Sequence, residues 1–92
     1  MGSRSEIVRE AEAWFIALKQ KYPESPLPYK TIGDFYFSRG LPEDALLKYY
    51  LMVEHLNDDV PFDKLAPIIE FLQSKEKTEL IQKIMQHFQS VS

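Results

Sequence analysis

The 92-residue sequence predicts an all-α fold of about five helices, arranged as antiparallel hairpins. Three observations predict it. Apolar residues recur at helical spacing in five segments, and none of these shows the alternation of a strand. Proline-bearing breaks fall at Pro23–Pro28, Gly40–Pro42 and Asn57–Pro61, with a softer one near Ser74–Lys77. Large and small residues also echo one another at an offset near 34.

The first segment, from Ser5 as N-cap to Tyr22, places Ile7, Val8, Ala11, Trp14, Phe15 and Leu18 on one face. The second runs from Leu27 or Pro28 to Arg39 and stops at Gly40, which tolerates the left-handed backbone that ends many helices. The third begins at Pro42, suited to a first helical turn, with Glu43 and Asp44 at the positive end of the helix dipole. It continues to about Leu56. In it Leu46, Leu47, Tyr49, Tyr50, Leu51, Met52, Val53 and Leu56 cover most of the circumference, leaving Lys48, Glu54 and His55 as a thin polar edge. Such a helix is expected at the centre, packed on several sides.

The fourth segment, Pro61 to Gln73, contains Pro67, which removes a backbone donor and predicts a local irregularity. The fifth, Lys77 to Ser90, carries a narrow stripe of Leu80, Ile81, Ile84, Met85 and Phe88 and a polar back, as expected of an outer helix. Short connections make consecutive helices antiparallel. Met1 to Ser3 reads as a remnant of cloning outside the fold, which leaves 4–92 as one domain.

An offset of 34 aligns Ala11 with Ala45, Phe15 with Tyr49 and Leu18 with Met52, and one of 33 aligns Tyr29 with Phe62, Ile32 with Leu65, Gly33 with Ala66 and Tyr36 with Ile69. A fixed period of this kind marks stacked helix pairs, in which small residues admit close approach and large ones fill the gaps. Here the chain resembles the tetratricopeptide repeat family. That family's pattern of an aromatic, Leu-Gly, Tyr, Ala, an aromatic and Pro is met by Tyr29, Ile32, Gly33, Tyr36, Ala45 and Tyr49, with Asn57 where the closing proline would stand. Ala11, Phe15 and Pro23 match the second half of a preceding repeat. Phe62, Leu65, Ala66 and Ile69 follow the pattern loosely, with a connection before the fifth helix longer than the family's usual turn.

The resemblance implies a right-handed superhelical stack and a non-catalytic module that binds a peptide or partner domain. It places a concave groove along the second and fourth helices, lined by Leu27, Lys30, Asp34 and Phe37 and by Asp63, Pro67, Glu70 and Phe71. Phe37 and Phe71 then either anchor the partner or close the core of a short stack, and Lys30 either supplies a charge or is simply solvated. Asp34 and the acids of the fourth helix disfavour the acidic chaperone tails that some members grip. At the open N-terminal end Trp14 and Ile16 offer a second face for a partner or for a homodimer, unless Trp14 turns inward.

Composition narrows the remaining classes. A net charge of −3 with scattered basic residues argues against nucleic acid, and no stretch approaches the length of a membrane span. Without cysteine, thiolate chemistry and cysteine-ligated zinc are excluded, and a cytoplasmic setting is expected. His55 with Asp58 and Asp59 reads as helix-end polarity rather than a metal site, and His87 as part of a polar back. No nucleophile, base and orienter come together, so no catalytic residue, metal or cofactor is expected.

Overall fold

The computed structural model describes residues 3–90, whose regular structure is entirely α-helical. Helix α1 spans Arg4–Lys21, α2 Leu27–Ser38, α3 Pro42–Glu54, α4 Phe62–Ser74 and α5 Thr78–Ser90. Helix α1 packs on α2, α2 on α3, α4 on α5 and α3 on α5. Two helical hairpins, α2–α3 and α4–α5, thus meet through α3 and α5, with α1 laid against the first.

Helix boundaries follow local chemistry. The N-cap of α1 is Ser3 rather than Ser5: its Oγ accepts the Glu6 amide at 3.4 Å, satisfying one orphan donor of the first turn. Ser3 therefore belongs to the fold, while Met1 and Gly2 lie outside the described residues. Ser25, buried in the turn before α2, accepts the Leu27 amide at 3.1 Å.

The two hairpin turns are the same device used twice. At the end of α2 the Gly40 amide reaches the Phe37 carbonyl and the Leu41 amide reaches the Tyr36 carbonyl, at 3.1 and 2.9 Å. At the end of α4 the Glu76 amide reaches the Gln73 carbonyl and the Lys77 amide the Leu72 carbonyl, at 3.0 and 2.9 Å. Both motifs need a left-handed residue, supplied by Gly40 at φ 76° and by Glu76 at φ 59°. Ser38 and Ser74 each bond back to the carbonyl three residues earlier, Phe35 and Phe71.

These pairs fix the internal register, and it differs from the one expected. The two hairpins superpose in sequence at an offset of 36, with Ser38 on Ser74, Gly40 on Glu76 and Pro42 on Thr78. At that offset buried Tyr29, Ile32 and Tyr36 fall on buried Leu65, Ile68 and Leu72. The expected offset of 33 pairs buried Gly33 with exposed Ala66 and buried Tyr29 with Phe62, which is 40% exposed. The extra length sits before α4, where residues 55–61 form a connection two residues longer than residues 22–26 before α2. The turn before α5 is not lengthened, since 75–77 matches 39–41. Between α1 and α3 the offset of 34 does agree with burial: Ala11 and Ala45 are both fully buried.

The core centres on Ile32, Ala45, Tyr49, Met52, Leu65, Leu72 and Ile84, with Val60 of the long connection plugged into it. Gly33 permits the tight α2–α3 crossing. A Cβ there would lie 2.6 Å from Tyr49 Cε1. Helix α4 runs unbroken through Pro67, which faces solvent and cannot donate to the Asp63 carbonyl one turn earlier.

Candidate partner-binding surface

The groove side of α2 is already occupied by its own bonds. Lys30 Nζ donates to Asp34 Oδ2 at 2.7 Å, and the Tyr49 hydroxyl of α3 donates to Asp34 Oδ1 at 2.6 Å. Burial and the Asp34 carboxylate together push the Tyr49 hydroxyl well above the usual phenol range, so it remains a donor. Asp34 is thus a buttress between hairpin partners. Lys30 is a half-buried charge whose counterion is one turn away, and it also lines a cavity of about 300 Å³ with Asp59, Pro61 and Lys64 at the start of α4.

Phe37 and Phe71 part company. Their rings meet at 5.0 Å, but Phe71 is buried beneath, with its edge toward Tyr49 at 5.7 Å, whereas Phe37 is 52% exposed. Phe71 closes the core and presents little to a partner, while Phe37 remains an apolar surface residue. Glu70 is exposed one turn along α4 from Pro67.

On α1, Trp14 lies edge-on to Phe35 at 5.7 Å and stays 43% exposed; Ile16 is 58% exposed. Two residues apart on a helix, they point in nearly opposite directions and do not make one patch. The expected single end face resolves into two separate apolar residues.

The larger apolar surface lies on α3, where none was expected. Leu47, Tyr50 and Leu51 are exposed to 64%, 41% and 38%. With Val8 of α1 they form the floor of a groove of about 580 Å³ between α1 and α3. The enclosure expected of α3 is therefore incomplete: Ala45, Tyr49, Met52 and Val53 face the core, and the opposite side is uncovered. Lys48, expected on the polar edge, turns inward. Its ammonium sits 3.7 Å from the centre of the Phe15 ring and 3.3 Å from Glu12 Oε1.

The wall of this groove is a tight polar lattice joining three helices. Arg4 of α1 makes a two-pronged bond to Asp44 of α3, at 2.7 and 3.2 Å. Glu12 accepts both Lys48 and the Tyr36 hydroxyl, the latter at 2.8 Å. Burial and Glu12 push the Tyr36 hydroxyl up as well. One signal in the sequence could have found this face. At 3.6 residues per turn, Glu43, Leu47, Tyr50 and Glu54 share an arc of about 60°, and two carboxylates on that arc mark it as solvated.

Among the described residues no three His, Asp or Glu side chains are grouped as metal ligands. His55 stacks on Tyr29 at 4.8 Å, and its Nδ1 bonds the Leu51 carbonyl. His87 is half-buried, with its ring set edge-on to Phe88, rather than lying on an open polar back. No described helix is long and apolar enough to cross a membrane. The chain matches no protein-family model, no curated protein and no solved structure.

Proposed function

We propose that the chain is a non-catalytic protein-interaction module, a small adaptor of tetratricopeptide-like helical hairpins that binds a peptide or partner domain. The observation that carries this reading is the open face of α3. Three large apolar side chains stay in water beside a groove whose wall is bridged by Arg4–Asp44 and Glu12–Lys48. Grouped apolar exposure of this kind costs solubility and is retained where something docks. The groove side of α2 contributes less, because Lys30 and Asp34 are engaged with each other and Phe71 is buried.

The test compares three surface variants, each first shown to melt like the parent: Leu47→Ser with Leu51→Ser, Phe37→Ser, and Ile16→Ser. Proteins retained by the immobilised chain are then identified by cross-linking. Loss of a retained protein in one variant alone locates its binding face. An identical retained set across all three variants would sink the interaction reading.

Self-association is the second reading, favoured by the exposure of Ile16 on the terminal helix α1. Sedimentation velocity over a concentration series decides it: a dimer lost in the Ile16 variant supports it, and a monomer throughout rejects it.

A further inference from the structure

We infer that the outer face of α3 receives a basic amphipathic helix from another protein, laid along the groove between α1 and α3. This rests on the interaction-module reading and adds the chemistry of the partner.

The apolar part of the site is a helix-in-groove surface. Leu47, Tyr50 and Leu51 follow the i, i+3, i+4 spacing that meets the stripe of a second helix, and Val8 closes the far side. The charged part supplies the sign. Exposed Glu43 and Glu54 bracket the apolar residues on the same arc of α3, and Glu79 at the start of α5 borders the depression beside Tyr50. None of these three is in an ion pair among the described residues. Of the cations beside the groove, Arg4 is committed to Asp44 and Lys48 to Glu12, while Lys77 shares the depression with Glu76 and Glu79, which leaves the acids in excess there. An apolar floor with uncompensated acids at both ends is complementary to a helix carrying Lys or Arg on either side of its apolar stripe.

The same charges disfavour a second copy of this face. Paired antiparallel, Glu43 of one chain would meet Glu54 of the other; paired parallel, each would meet itself. Glu43 and Glu54 are separated by about 16 Å of helix rise, so a partner helix of about 14 residues spans the site.

The experiment uses the whole chain and three labelled synthetic peptides of that length. One carries a Leu stripe flanked by Lys, one the same stripe flanked by Glu, and one scrambles the Lys-flanked composition. Fluorescence anisotropy should show the Lys-flanked peptide binding at least about tenfold tighter than either control, and more weakly as salt is raised. Leu47→Ser with Leu51→Ser should abolish that binding, while Phe37→Ser and Ile16→Ser leave it intact. Glu43→Lys with Glu54→Lys should reverse the preference toward the Glu-flanked peptide. Equal affinity for the Lys- and Glu-flanked peptides would overturn the inference, as would binding that survives the Leu47 and Leu51 changes. Binding lost only on Phe37→Ser would move the partner to α2 and α4, overturning this inference while leaving an interaction module standing. Failure of every peptide to bind also overturns it, and the cross-linking comparison above then judges the broader reading separately.

Discussion

Gly33 of α2 and Tyr49 of α3 are in contact at the limit of what backbone and ring allow. A methyl group on Gly33 would sit 2.6 Å from Tyr49 Cε1 and 2.9 Å from Cδ1. The ring has little room to retreat, because Tyr49 is 1% exposed and its hydroxyl is tied to Asp34. Alanine gains about 1 kcal/mol of helix propensity over glycine. Overpacking of this kind typically costs ~1–3 kcal/mol, and the locked ring places Gly33→Ala on the losing side. Gly33→Ala should lower the urea midpoint, and Gly33→Leu should lower it much further. A Gly33→Ala variant at least as stable as the parent would disprove the close crossing.

The hydroxyls of Tyr49 and Tyr36 give stability an alkaline limit. Both phenols ordinarily ionise near 10, and in the folded chain burial, followed by Asp34 for Tyr49 and Glu12 for Tyr36, raises them. Above that ordinary value the unfolded chain loses protons that the native chain keeps, so the native state binds more protons. Stability is therefore fully present below about pH 10 and falls as pH rises toward the raised native values. Tyr49→Phe should cost about 1–2 kcal/mol at neutral pH through the lost bond to Asp34. The double variant Tyr36→Phe, Tyr49→Phe should show a shallower alkaline loss in urea melts at about pH 9 and about pH 11.

The two hairpin turns predict substitutions of opposite sign. Glu76 holds a left-handed conformation that Gly40 holds at little cost. Glu76→Gly should stabilise the chain by about 1 kcal/mol, and Gly40→Ala should destabilise it by about as much. Thermal melts of the two single variants check both signs.

Pro67 leaves the Asp63 carbonyl without its usual helical donor while its own ring faces water. Pro67→Ala should restore that bond and raise stability by about 1–2 kcal/mol. No change in melting would mean that the Asp63 carbonyl is already well satisfied.

Much of the fold was legible because helix signals are local. Pro42 at the start of α3 and Gly40 at the end of α2 act through their own backbone, and both stand where the sequence indicates. The register of the second hairpin was not legible from residue size alone. Gly33 is small because Tyr49 crosses it, whereas Ala66 is exposed, so matching the two by size misplaced the repeat. Its true markers are the left-handed residues Gly40 and Glu76, and a left-handed Glu carries no sequence signature. The site was legible only in part. Leu47, Tyr50 and Leu51 have the same apolar character as Leu46 and Val53, and beyond the two carboxylates Glu43 and Glu54 on their arc it is the neighbours supplied by other helices that separate open face from core. In the same way Phe37 and Phe71 look alike in sequence, but one lies over the other.

The outer face of α3 as the partner surface is tested most directly by amide chemical-shift mapping of the chain with the Lys-flanked peptide. The largest shifts should fall at Val8, Leu47, Tyr50 and Leu51, with Glu43 and Glu54 at the margins and little change at Phe37 or Ile16. Shifts concentrated between Lys30 and Phe37, or around Trp14 and Ile16, would contradict it.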